Sequence, residues 1–187
     1  MDFEPQIDVS RLRKMTRAEY DALIEIGFFK KEDHTELLYG RLVETSPQGE
    51  PHMVCVTRLT YRFTRALDEA RASVRTQGPF DAGDDSVPEP DIAIVPPSDA
   101  KVYPTKAFLL VEVCDSSLRE DRKIKLPLYA LAAVPEVWLV DVKLKRVEVY
   151  SEPRGPGYAK TAIHESDAKI APLALPDVQI SLSEIFA

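Results

Sequence analysis

The order of structural signals along this 187-residue chain predicts an α/β protein of the α+β kind, a central mixed β-sheet flanked by helices. Three observations carry that reading. Apolar runs rich in valine, isoleucine and leucine recur at 91–95, 107–114 and 136–141, as expected of strands buried on both faces. One long segment, 52–71, is amphipathic with helical period. Helices and strands do not alternate as regular βαβ units. No GxGxxG and no phosphate-loop sequence is present, so doubly wound nucleotide-binding folds are disfavoured.

Residues 1–14 read as a leader without periodicity, and 15–187 as a single domain free of repeats, low-complexity stretches and linkers. Thr16 with Glu19 three residues on forms a capping box for a helix over 17–26, which Gly27 ends. Glu36 to Glu44 gives two short strands, or one bent strand, around Gly40, followed by the loop Ser46-Pro47-Gln48-Gly49. Along 52–71, Cys55, Val56, Leu59, Phe63, Ala66, Leu67 and Ala70 share one stripe with His52 when the chain advances about 100° per residue. Arg58, Arg62 and Arg65 fall away from that stripe. A strand at 73–77 and a turn-rich loop at 78–90 lead into the apolar strands. A helix is expected over 117–133. Pro135 breaks it before the strand at 136–141, and 146–150 alternates polar and apolar as a hairpin partner does. Gly155-Pro156-Gly157 is a turn, and 175–180 holds a short strand with a terminal turn of helix after it. Tyr129 and Trp138 read as core aromatics.

Forty-four per cent of the residues are apolar and 29% are charged, the composition of an ordinary globular domain. Cys55 and Cys114 lack CxxC spacing, which removes zinc ribbons and dithiol redox sites and leaves buried reduced thiols, as in a cytoplasmic protein. No apolar run approaches the roughly 20 residues of a membrane span, so no membrane association is expected. A net charge of −7 argues against nonspecific coating of nucleic acid, but carboxylates that hold a divalent cation inflate that count.

Two carboxylates stand out. Asp91 follows Pro90 and opens one apolar strand, and Glu112 sits inside another, Phe108 to Val113. A charge within such a run is costly unless it is paired or bound to a metal. Two of them on neighbouring strands, followed by a lysine-bearing segment, is the layout of a metal-dependent phosphodiesterase. Mg²⁺, or Mn²⁺ in its place, suits one or two carboxylates with retained waters, and the backbone carbonyl of Val113 is a further candidate ligand. The residue two after Glu112 is Cys114, so the lysine must come from elsewhere. Lys125 lies four residues after Asp121 on the following helix and is the better placed candidate. Arg58, Arg62 and Arg65 are candidates for phosphate contacts.

Pro90-Asp91 followed by Glu112-Val113-Cys114 resembles the PD-(D/E)XK nucleases, whose fold is that of restriction endonucleases. The longer string is more specific: Pro88-Glu89-Pro90-Asp91-Ile92-Ala93, Leu110-Val111-Glu112-Val113, Asp121 with Lys125 and Tyr129, then Val134 to Asp141. With Glu36 before Gly40, Ser46-Pro47 and His52, it resembles a bacterial family of restriction-endonuclease-like proteins over about residues 15–187. The resemblance implies a central mixed sheet flanked by helices. It also implies a site of Asp91, Glu112 and a migrated Lys125, with Glu36 nearby as a supporting or second-metal carboxylate and His52 nearby to orient metal-bound water or a phosphate. Pro127 departs from the pattern within the helix that carries Lys125, and Asp115-Ser116 replaces the usual Ser-Pro after the strand. The implied activity is Mg²⁺-dependent endonucleolytic hydrolysis of DNA, by a homodimer on analogy with enzymes of this fold. A nuclease-fold binding module without catalysis is the alternative, and hydrolysis of a small phosphoester a third.

Overall fold

The computed structural model describes residues 11–30, 33–45, 48–165 and 167–187. Most of the leader, and Ser46-Pro47, therefore lie outside the described residues. The chain opens with helix α1, Arg17–Glu25, started by the expected reciprocal capping box between Thr16 and Glu19. Strands β1, Thr35–Leu38, and β2, Arg41–Glu44, pair antiparallel as a hairpin. Its turn places Tyr39 at φ 53° and Gly40 at φ 77°, the left-handed pair that matches strand twist. A Cβ on Gly40 would stand 2.6 Å from the Cβ of Lys14.

Helix α2 spans Glu50–Ala66. It begins two residues before the expected start because Pro51 fits the first turn of a helix. It ends before Leu67, whose extended backbone at ψ 137° stops it, so Leu67 and Ala70 fall outside the helix. Strands β3, Ser73–Thr76, β4, Ile92–Val95, and β5, Leu109–Cys114, follow. The expected helix over 117–133 is two helices, α3, Leu118–Lys123, and α4, Lys125–Leu131. The cause is Pro127. Its ring would clash with the carbonyl of Lys123 in a continuous helix, but in the first turn of α4 its missing N–H has no role.

Strands β6, Glu136–Asp141, β7, Arg146–Arg154, and β8, Gly157–Glu165, complete a six-stranded sheet in the order β3-β4-β5-β6-β7-β8. β5 and β6 are parallel and the other pairs antiparallel, so the sheet is mixed. The parallel pair is buried along its whole length, the reason both strands read as continuous apolar runs. The sequence gives no sign of β8, because this edge strand is solvent-exposed over most of its length and lacks an alternating pattern. Strands β9, Lys169–Ile170, and β10, Ile180–Ser181, form a small separate pair before helix α5, Leu182–Phe186.

One face of the sheet packs Ile92, Ile94, Val111, Val113 and Trp138 against Cys55, Leu59 and Phe63 of α2 and against Ile180, Leu182 and Ile185. The other packs Ala93, Leu110, Cys114, Val137 and Leu139 against Leu126 and Tyr129 of α4 and against Phe80. Trp138 and Tyr129 are fully buried, and both cysteines are free and buried. Among the described residues no helix is long and apolar enough to cross a membrane.

Candidate active site

The sheet register brings the two acids together. β4 and β5 pair Ile92 with Val111, and continuing that antiparallel register by one residue sets Asp91 opposite Glu112. Side chains alternate along a strand, so Asp91 shares the face of Ala93 and Glu112 that of Leu110 and Cys114. Both acids are buried, yet both line a cavity of about 810 Å³. Glu36, His52, Val113 and Lys125 line the same cavity.

Each acid is tied down. Oδ2 of Asp91 accepts a hydrogen bond from the Val113 N–H at 2.8 Å and lies 3.1 Å from Nε2 of His52. His52 reaches it from the first turn of α2, and its Nδ1 is buried without a hydrogen-bond partner. On Glu112, Oε1 accepts from the hydroxyl of Tyr129 at 2.5 Å and lies 3.3 Å from the Lys125 ammonium. Lys125 also pairs with Oε1 of Glu36 at 3.0 Å, and the Glu89 N–H donates to that same oxygen at 3.2 Å. Glu36 is buried on β1, and its Oε2 has no hydrogen-bond partner. Hairpin, strand and helix thus converge on one ammonium.

The electrostatics follow from burial. Desolvation pushes the Glu112 carboxyl well above its ordinary range. Lys125 opposes that shift, while the nearby charges of Asp121, Asp91 and Glu36 reinforce it. Desolvation also raises Glu36 against the pull of Lys125, and raises Glu89 with help from Glu36. Burial alone would lower the Lys125 ammonium, but Glu112, Glu36 and Asp121 outweigh it and hold the lysine firmly protonated. The cavity lining carries eight acidic side chains and one lysine. A site with that surplus, with carboxyls already held above their usual range, fits a divalent cation. No group of three or more His, Cys, Asp or Glu among the described residues is placed to hold a metal alone. Mg²⁺ does not need one, because it binds through one or two carboxylates and keeps its waters.

The three arginines lie elsewhere. Arg58 donates to the carbonyl of Ile185 at 3.1 Å, Arg62 pairs with Glu184 at 3.1 Å, and Arg65 reaches the Tyr61 hydroxyl at 2.6 Å. None lines the cavity. The basic flank of α2 turns to the C-terminal helix and to its own Tyr61, so helical periodicity found the arginine cluster but not its partners. Pro127 leaves Lys125 in place, because α4 restarts at that residue. Glu89 and Asp121, present in the sequence pattern without a role of their own, line the cavity, and Tyr129, expected as a core aromatic, hydrogen-bonds Glu112. The spacing of four that links Asp121 to Lys125 continues to Tyr129 and is the signal that could have found its hydroxyl.

A mixed sheet covered by helices on both faces, with an acid pair and a lysine at one end of its central strands, defines a domain of the restriction-endonuclease type. Residues 17–183 match the Uma2 family model, described as "Putative restriction endonuclease", and the chain belongs to that family. Its fold is similar to the crystal structure of "a putative nuclease belonging to DUF820" from Anabaena variabilis, with a TM-score of 0.73 and 17% sequence identity. That likeness covers 92% of this chain and 97% of the other. Comparison with curated proteins gives no match.

Proposed function

We propose that this chain is a Mg²⁺-dependent endonuclease acting on DNA, with Mn²⁺ able to substitute. The observation that carries the proposal is the register that sets Asp91 opposite Glu112, with Lys125 against Glu112. Asp91 and Glu112 would hold the cation, with the Val113 carbonyl as a further ligand. A bound divalent ion supplies an activated water and neutralises charge building on the phosphate. Lys125, kept protonated by its carboxylate neighbours, would orient a phosphate oxygen and stabilise its charge. Glu36 fixes the lysine and His52 fixes Asp91. Duplex substrates suit a homodimer, with each copy addressing one strand. Buried reduced thiols suit the cytoplasm.

The test is cleavage of plasmid DNA with Mg²⁺ or Mn²⁺ by the parent chain and by Asp91→Ala and Glu112→Ala. Metal-dependent cleavage lost in both variants is expected. Equal cleavage by all three would refute the site. The acidic cavity favours one second reading, a nuclease-fold module that binds without cutting. Duplex binding that persists in EDTA, with no cleavage under any divalent ion, would establish it.

A further inference from the structure

Tyr129 is buried on every side, yet its one polar atom is aimed at a site carboxylate. It follows Lys125 by four residues on α4, so the two side chains stand one above the other on one helix face. The Tyr129 ring stacks edge-on against Phe80, with centroids 6.5 Å apart and planes at 80°. The tyrosine hydroxyl donates to Oε1 of Glu112. A buried tyrosine needs some acceptor, and a main-chain carbonyl would serve for packing alone, as Val134 does for Tyr158. Here the acceptor is instead the carboxylate opposite Asp91.

The two acids are handled alike. Val113 N–H and His52 both engage Oδ2 of Asp91, and the other oxygen carries no hydrogen bond among the described residues. Tyr129 takes Oε1 of Glu112, leaving Oε2 with Lys125 alone, at 3.4 Å. In each carboxylate one oxygen is anchored by the protein and the other is left to the cavity. We propose that Tyr129 is a positioning residue: its hydroxyl fixes the Glu112 carboxylate so that Oε2 is presented for a divalent cation. This rests on the function proposed above. Groups that orient a ligating carboxylate from behind are worth about 10–100-fold in metal affinity.

The experiment titrates the full chain with Mn²⁺ alone, following the free-ion electron paramagnetic resonance signal. Parent, Tyr129→Phe and Phe80→Leu are compared, with thermal melts in EDTA alongside. Tyr129→Phe removes only the hydroxyl. It is expected to bind Mn²⁺ about 10-fold more weakly, and in cleavage assays to recover near-parent kcat at saturating metal. Phe80→Leu loosens the packing on the ring. It is expected to lower the melting temperature while keeping Mn²⁺ affinity near that of the parent. Equal affinity in Tyr129→Phe and parent would overturn the role of Tyr129 alone, as would equal weakening in both variants. A parent that takes up no Mn²⁺ overturns the metal-dependent function and the role of Tyr129 with it.

Discussion

Replacing Lys125 by methionine should turn the site against the fold. The lysine side chain is 12% exposed, and those of Glu36 and Glu112 are each 5% exposed. Removing one member of such a buried pair costs about 3–5 kcal/mol, against about 0–1 kcal/mol for a surface pair, and here the loss strands two carboxylates. Both of those carboxyls already sit above their ordinary value of 4.5. Where a folded-state carboxyl is raised, the native protein binds more protons than the unfolded chain, so stability falls as pH climbs from that value through the raised one. Lys125 opposes the rise in both groups, so its removal should steepen the fall. The assay is urea unfolding in EDTA at about pH 5.5 and about pH 8, for parent and variant. A loss near 3 kcal/mol at the higher pH and a clearly smaller one at the lower is expected. A loss below about 1 kcal/mol at both would show that Lys125 is a solvated surface lysine and refute the three-element convergence.

Three further outcomes are expected. His52→Ala removes one of the two partners of Asp91 Oδ2 and should cost about 1–3 kcal/mol by denaturant titration, with cleavage reduced but Mn²⁺ binding still detectable. Arg58→Ala should leave the slope of DNA affinity against salt unchanged, because the side chain is spent on Ile185, while lowering stability by about 1 kcal/mol. A slope reduced by about one phosphate contact would restore the arginine to a DNA-binding role. Pro127→Ala should shift stability by no more than about 1 kcal/mol and leave Lys125 in its ion pairs, since the missing N–H lies in a first turn. Circular dichroism and the pH dependence of unfolding would check it.

The local chemistry of the chain was legible where it is self-contained. The capping box at Thr16, the turn at Gly40 and the twice-buried strands around Glu112 each depend on a few neighbouring residues. So does the burial of Glu112 within an apolar run, visible without a fold, whereas the place of Asp91 opposite it comes from the strand register. What stayed hidden is contact across distance. The Glu36–Lys125 pair joins residues 89 positions apart, and no local pattern encodes that meeting. Tyr129 reads as core because its ring is core, and only its hydroxyl belongs to the site. Pro127 was visible, but whether it kinks, ends or starts a helix depends on where the helix begins. β8 is an edge held by its ladder to β7, and backbone pairing leaves no mark on side-chain order.

Gly40 links the supporting acid to a distant part of the molecule. Its carbonyl receives the Met15 N–H at 2.9 Å and its own N–H reaches the Asp85 carbonyl at 2.7 Å, so the hairpin tip is wedged between two loops. Glu36, four residues back, is therefore held from outside the cavity as much as from within. Trimming the chain past Met15, or giving position 40 a methyl group, would touch nothing that lines the cleft. Either change would still let the hairpin swing and carry an acid away from its lysine, a lesion that looks catalytic and begins in the scaffold.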